Sequence, residues 1–378
     1  MLHLQHLRAR RLGQLAVVAA AGLALAACGS SDDDSTQASG GGSDPVTLKF
    51  SYFTSQNNPI GQTWTWWMDE VTERSGGTIK FDAFWDGTLL KADEVVDGLR
   101  DGRADVAQIT PSFYSGRFPL TAAAELPFAS NNVAAISATM AKLSAEDETF
   151  QKEWSAQSVK PLGWSVGASS PVVSKDPIKA AGDIKGMKIR GIDRGSKALK
   201  HNGANVLAVA PAELYGSMER GLLDGVYGVP FGALTSMKLE EVGKYTTDLG
   251  LGAQTASALA IGQSSWDKLS DEQRQAIEEV GAEIPAKYAE LNAKADADAC
   301  TAFTENEVEL SVLPDAESQK LRAGGETKVR DEWVAELKQK DLDADGFGAK
   351  FTELVKAASA DFPDEDKSGV QRCLDTQS

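Results

Sequence analysis

Asp183-Ile-Lys-Gly-Met-Lys-Ile-Arg190 is the stretch from which the fold is read. Its second half, Met187-Lys-Ile-Arg190, reads as a short strand, and the chain after it alternates. A helix over Lys197 to Gly203, a strand around Val206 to Val209, a helix from Pro211 to Arg220 and a strand Gly225-Val-Tyr-Gly-Val229 follow in turn. This series begins upstream, near Val159. Further back, Val46-Thr-Leu-Lys-Phe-Ser-Tyr52 is a β-rich run, and Asn57-Asn58-Pro59 turns into a helix around Trp64 to Arg74 that Ser75-Gly76-Gly77 ends. Thr78 to Phe84 is a second strand broken at Gly87, followed by a helix over about Ala92 to Arg100 and a strand near Asp105 to Ile109. Strand and helix in alternation predict an α/β fold. Two such units in succession, neither a sequence repeat of the other, predict two lobes with a cleft between them.

The C-terminal third reads as helix. Ser270 with Gln273 is a capping-box pair, and Ile277, Val280, Ile284, Tyr288 and Leu291 recur at helical spacing. This helix is expected to reach about Cys300 and to brace both lobes. After Leu313-Pro314, two or three further helices are expected, broken at Gly324-Gly325 and at an acidic loop near residue 345.

Composition excludes several function classes. The chain has 378 residues with only 3 His and 3 Cys. His3 and His6 lie in a candidate leader, which leaves His201, in a helical stretch, for any histidine chemistry; it reads as a surface residue. A Ser-His-Asp or Cys-His nucleophile would need it, and zinc sites of the Cys/His kind lack their ligand spacing. Asp+Glu outnumber Lys+Arg 55 to 38, a net charge of −17. Such a surface repels phosphate backbones, so no nucleic-acid partner is expected. Asp341-x-Asp343-x-Asp345-Gly346 matches the first half of a calcium loop, but position twelve is Thr352, and an acidic turn between helices is the better reading. No metal or cofactor is expected.

Residues 1–27 read as an export signal: Arg8, Arg10 and Arg11, then the apolar run from Leu15 to Ala27, too short to span a bilayer. Loss of those three arginines takes the net charge from −17 to −20. Leu25-Ala26-Ala27-Cys28 resembles the bacterial lipobox. That resemblance implies diacylglycerol and palmitate on Cys28 and a chain tethered to the extracytoplasmic (periplasmic or outer) face of the cell membrane. Residues 28–44, rich in Ser, Gly and Asp, read as a flexible linker. Outside the cytoplasm the remaining Cys300 and Cys373 either pair, stapling the C-terminal tail to the long helix, or stay as two separate thiols.

Several segments in order resemble the DctP-like solute-binding proteins of TRAP transporters. They are Glu73-Arg-Ser-Gly-Gly-Thr-Ile-Lys80, Gly87-Thr-Leu-Leu with Glu94, Gly102-Arg-Ala-Asp105 and Asp183 to Arg190. Glu213-Leu-Tyr215, Glu219-Arg-Gly-Leu-Leu-Asp-Gly225, Lys238 to Tyr245 and Trp266 to Gln273 complete the series. The resemblance runs from about residue 46 to 360. It implies a two-lobed periplasmic-binding-protein fold, each lobe a mixed sheet flanked by helices. Lobe I is expected over about 45–166 and 256–300, and lobe II over about 167–255 and 301–378. It also implies a small organic acid as ligand, small and large integral-membrane subunits as partners, and no catalysis.

The family's carboxylate-clamping arginine falls on Arg190, whose guanidinium fork is suited to two parallel hydrogen bonds with a carboxylate. A protein this acidic needs such a local cation to hold an anion. The chain departs from the acid-binding pattern elsewhere. Gly167-Ala-Ser-Ser-Pro171 lacks the second arginine of many members, Val229 stands before Pro230 where others have Asn, and Thr110 falls where sialic-acid binders have Glu. Aromatic residues at strand ends are the expected replacement. Phe53, Trp85, Trp164, Tyr215, Tyr227 and Phe231 are candidates to stack on an apolar or aromatic ligand body, with about half of the aromatic residues expected in the core, and Lys91 is a candidate second cation. Two other readings remain: a ligand-sensing lipoprotein of the same fold feeding a signalling receptor, and an envelope hydrolase pairing Asp82 or Asp86 with a distant Glu.

Overall fold

The computed structural model describes residues 44–377 apart from 115, 253–254 and 363–366; the candidate leader, Cys28 and nearly all of the linker lie outside the described residues. In chain order the strands are β1 (Val46–Ser51), β2 (Ile79–Phe84), β3 (Val106–Ile109), β4 (Val159–Gly167), β5 (Val172–Ser174), β6 (Lys188–Arg190), β7 (Asn205–Leu207), β8 (Gly225–Val226), β9 (Tyr245–Asp248), β10 (Thr255–Gly262) and β11 (Glu309–Val312). They form two sheets, ordered β2-β1-β3-β10-β4 and β11-β9-β5-β8-β6-β7. Both sheets are mixed. In the first, β1 pairs in parallel with β2 and β3, while β10 runs antiparallel to β3 and β4. In the second, β6 is parallel to both β7 and β8, and β5 is antiparallel to β8 and β9.

The α-helices are α1 (Pro59–Arg74), α2 (Val95–Arg100), α3 (Val133–Glu146), α4 (Glu148–Ser155), α5 (Arg194–His201), α6 (Leu214–Glu219), α7 (Leu239–Val242), α8 (Gln263–Trp266), α9 (Asp271–Glu305), α10 (Asp315–Lys338), α11 (Ala344–Ser359) and α12 (Gly369–Gln377). Helix α1 starts five residues before Trp64. Asn58 caps it, its Oδ1 accepting from the Gly61 N–H, and Pro59 takes the first turn, where its missing N–H costs nothing. Trp64, Trp67 and Val71 then share one buried face against the first sheet, in a cluster with Phe50, Ile79 and Ile277. Burial of each such side chain is worth about 1.5–3 kcal/mol.

Helix α9 runs unbroken over 35 residues from the Ser270 capping box, with Pro285 inside it. Ile277, Val280 and Ile284 join the core beneath the first sheet, while Ala299 and Phe303 join a core of the second. Its N-terminal half lies directly on β4: a Cβ on Gly281 would stand 2.1 Å from the Leu162 carbonyl, and one on Gly163 2.8 Å from the Gly281 carbonyl. Only glycine permits that approach. The C-terminal half is held by a disulfide between Cys300 and Cys373, which fastens α12 to it, Cα to Cα 5.4 Å.

Two expectations about the C-terminal third are corrected. Helix α10 does not break at Gly324-Gly325, because these glycines face α5 rather than solvent. A Cβ on Gly325 would stand 2.9 Å from that of Ala198, so the pair marks a helix crossing. Nor does the segment after residue 301 belong wholly to the second lobe. Leu321 and Val329 pack with the second sheet, but Trp333, Leu337, Phe347, Phe351 and Val355 pack in the first-lobe core. There the Trp333 Nε1–H donates to the Pro119 carbonyl at 2.7 Å. The acidic loop is a helix start: Asp343 Oδ1 accepts from the Gly346 N–H and caps α11. Among the described residues no group of three metal-ligating side chains is assembled, and no helix is long and apolar enough to cross a membrane.

Candidate functional site

Arg190 stands at the carboxyl end of β6, between β7 and β8, where α/β sheets present their ligand sites. Its side chain is only 2% exposed. Much of the guanidinium is already used by the protein. Nε donates to the Val209 carbonyl at 3.2 Å, and Nη1 donates to the carbonyls of Tyr227 and Gly228 at 3.2 and 3.1 Å. Nη2 has no hydrogen-bond partner among the described residues. The two-pronged fork expected from the sequence is therefore reduced to one open nitrogen with two hydrogens. Gly228 makes this arrangement, since its φ of +81° turns its carbonyl to Arg190, and a Cβ there would stand 3.2 Å from both Arg190 Nη1 and Asp193 Oδ2.

The local electrostatics follow from burial. Desolvation pulls the Arg190 guanidinium down to about 10, opposed by the neighbouring Asp193 carboxylate. Asp193 is pushed up to about 6 by the same effect, opposed by the Ser196 N–H and by Arg190. Its Oδ1 caps α5 by accepting from the Ser196 N–H at 2.8 Å, and its Oδ2 is buried without a partner among the described residues. Close by, Glu125 is 2% exposed, accepts from Ser112 Oγ at 2.6 Å, and is pushed up to about 7 by burial. Glu125, Asp193 and the ion pair Arg194–Glu336 line a recess of about 170 Å³.

Arg190 opens into a separate cavity of about 100 Å³ built from both sheets and α9. Phe53, just after β1, and Phe113 meet edge to face, their ring centroids 5.6 Å apart, and both line it. Thr110, just after β3, lies in a closed polar network. Trp64 Nε1 donates to Gln108 Oε1 at 2.8 Å, Gln108 Nε2 donates to Thr110 Oγ1 and Ser257 Oγ, and those two hydroxyls bond each other at 2.9 Å. Ile192, Val229, Pro230 and Met237 add apolar wall from the second lobe. A cavity of this size suits a single small ring rather than a drug-sized molecule.

The structure brings Arg190, Phe53 and Thr110 together and leaves the other predicted site residues outside the lining. Trp164 is core: its Nε1 donates to Ser144 Oγ at 2.8 Å and its ring packs on Trp154. Phe231 is core against Phe303, centroids 5.3 Å apart. The Tyr227 ring is wholly buried, and it serves Arg190 through its carbonyl alone. Trp85 is half-buried, stacked at a tilt on Phe50 and edge-on to Tyr52. Half-buried Tyr215 donates its hydroxyl to Glu241 Oε2 at 3.2 Å. Lys91 is exposed, and its backbone N–H bonds Glu94. His201 Nε2 lies 2.7 Å from Glu332 Oε1, a surface pair.

Sequence reasoning missed Tyr288 and Asn292, which α9 contributes to the cavity wall. A signal was available. The buried positions of α9 run Ile277, Val280, Ile284, Tyr288, Asn292, Asp296, Ala299, Phe303. Two polar residues continuing an apolar stripe at helical spacing mark a place where the stripe faces something other than core.

The family model for bacterial extracellular solute-binding protein, family 7 (DctP), matches residues 50–335. The chain belongs to this family. It is accordingly an extracellular solute-binding protein, a binder and not an enzyme. Among its relatives, the 2,3-diketo-L-gulonate-binding periplasmic protein of Escherichia coli is 28% identical over 234 residues, 61% of this chain and 70% of that protein. Among solved structures, a TRAP solute-binding protein from Rhodoferax ferrireducens in complex with copurified benzoate superposes with a TM-score of 0.76 at 24% identity, covering 84% of this chain and 99% of that one. A marine metagenome TRAP solute-binding protein specific for aromatic acid ligands, from an unidentified microbe, superposes with a TM-score of 0.75 at 23% identity, covering 83% and 99%. These likenesses establish the two-sheet architecture of the family member described here.

Proposed function

We propose that this family member captures a small monocarboxylate with an apolar or aromatic body, holds its carboxylate on Arg190, and passes it to small and large membrane subunits. The observation that carries this reading is the open Nη2 of a buried arginine at the wall of a cavity of about 100 Å³ lined by Phe53, Phe113, Ile192 and Val229. A buried cation with an unfilled donor is a place where an anion gains a charge-assisted hydrogen bond without first paying to order the cation. The apolar lining favours a compact ring over a polyhydroxylated sugar acid such as that bound by the Escherichia coli relative. The benzoate of the Rhodoferax protein is an acid of the favoured kind. Lobe I is proposed to comprise about 45–166 with 256–300, joined by the end of α10 and α11, and lobe II the remainder of 167–378.

The test is a melting-temperature screen of the protein against small organic acids, aromatic ones included. A ligand at 100 times its dissociation constant stabilises by about 2.7 kcal/mol, a readily detected shift. A panel in which only dicarboxylates and sugar acids raise the melting temperature refutes the proposal. The anchor on Cys28 is part of the same reading. Wild type is expected to partition into detergent and Cys28→Ser into the aqueous phase, and equal partitioning removes the anchor.

A further inference from the structure

The α9 wall of the cavity carries an acceptor that none of the described residues fills. Asn292 is 4% exposed, and its Oδ1 is buried without a hydrogen-bond partner, the one such side-chain atom among the described residues lining the cavity. The orientation of its amide is not arbitrary. Nδ2 donates to Asp296 Oδ2 at 3.3 Å, and the opposite orientation would set a carbonyl oxygen against a carboxylate. Asp296 is itself held by the Gly232 N–H and by Arg372, so the amide is fixed from behind. One helical turn earlier, Tyr288 lines the same wall, and its hydroxyl has no partner among the described residues.

An unfilled acceptor is the complement of a ligand donor, and a ligand hydroxyl can donate to Asn292 Oδ1. Ligand N–H groups can donate there too, and an ammonium among them would bring a second positive charge. Among the described residues lining the cavity no carboxylate balances a second positive charge, so a neutral hydroxyl fits and an amino acid does not. We infer that the ligand is a hydroxy monocarboxylic acid, its carboxylate on Arg190 and its hydroxyl donating to Asn292. This inference rests on the Arg190 reading above.

The distinction is measurable because a ligand without the hydroxyl seals the Asn292 oxygen away from water with no partner, which weakens binding about tenfold or more. The experiment is calorimetric titration of the wild-type protein with two matched sets: benzoate with 2-, 3- and 4-hydroxybenzoate, and butyrate with its hydroxy isomers. In at least one set, one hydroxy isomer is expected to bind about tenfold tighter than its parent. The ratio of hydroxy isomer to parent affinity is expected to fall within about twofold in Asn292→Leu, whatever the change in absolute affinity. Parents and hydroxy isomers binding equally to wild type overturns this inference and leaves the Arg190 reading standing. A preference that survives Asn292→Leu overturns it too. Binding of no acid in either set overturns both. The wild-type comparison decides the matter even if a variant fails to fold.

Discussion

Replacing Arg190 with methionine separates what the arginine does for the ligand from what it does for the fold. Burial pulls the guanidinium down to about 10, so its charge is held against a cost on the order of 3 kcal/mol. Because the folded value lies below the ordinary one, that cost is present in full at neutral pH and lifts only as pH rises above about 10 towards the ordinary arginine value. On the other side stand three hydrogen bonds, to the carbonyls of Val209, Tyr227 and Gly228, each worth about 1 kcal/mol once the carbonyls must go unpaired. Methionine matches much of the volume and carries no charge. The two contributions nearly cancel, so the unliganded variant is expected to unfold within about 1–2 kcal/mol of wild type. Binding has no such compensation. Loss of the charge-assisted bonds from Nη2 is expected to cost about 2–3 kcal/mol, a roughly 30- to 150-fold weaker affinity for any carboxylate that binds wild type. Denaturant titration without ligand and calorimetry with it measure the two quantities on the same protein. An unchanged affinity, or a variant that loses several kcal/mol of stability yet still binds, would refute the reasoning by making Arg190 a structural residue.

Gly228→Ala is expected to weaken binding and cost about 1–3 kcal/mol of stability, because a Cβ at φ +81° crowds both Arg190 Nη1 and Asp193 Oδ2 at 3.2 Å; wild-type behaviour on calorimetry and denaturation would show that the turn yields freely. Reduction of the Cys300–Cys373 bond, which closes a loop of 73 residues, is expected to lower the unfolding free energy by about 2–4 kcal/mol. Guanidinium titration with and without a reductant reads this, and coincident midpoints would show that α12 holds without it. Glu125 is expected to make the fold lose stability as pH rises from about 4.5 to 8. Its folded value is raised to about 7, so the folded state binds the extra proton in that window and the full penalty is reached above it. Glu125→Gln should flatten the pH profile of the melting temperature, and an unaltered slope would assign the dependence to other groups.

Much of the fold is legible because its signals are local. The Ser270–Gln273 capping box, the Asn58-Pro59 start of α1 and the alternation around Arg190 each depend on a few neighbouring residues. Helix α3 and strand β10 are hard to see because their chemistry is uniform. Val133 to Met140 and Thr255 to Ile261 are both runs of Ala, Ser, Thr and aliphatic residues, buried nearly all round, with no periodicity to tell helix from strand. Gly324-Gly325 reads as a breaker unless the partner helix is known, because the need for a close crossing lies in α5. At the site, Arg190 was legible from its place at a strand end in an acidic chain. Trp164 and Phe231 were not separable from Phe53, since an aromatic side chain at a strand end has the same appearance whether it faces core or cavity. Asn292 escaped for the opposite reason, because a polar residue on a long helix is expected to face water, and its place on the apolar stripe of α9 was the one sequence sign that it does not.

The mounting of α9 has a mechanical consequence. It is a beam fixed near one end by the Gly281–Gly163 contact with β4 and near the other by Cys300, and Asn292 hangs on the span between. The eleven residues from Gly281 to Asn292 make a lever arm of roughly 16 Å, so a tilt of about 3° at the glycine seat moves the cavity wall by about 0.9 Å. A methyl group added at Gly163 or Gly281, far from any ligand atom, would therefore act on the geometry of recognition as directly as a change in the wall itself.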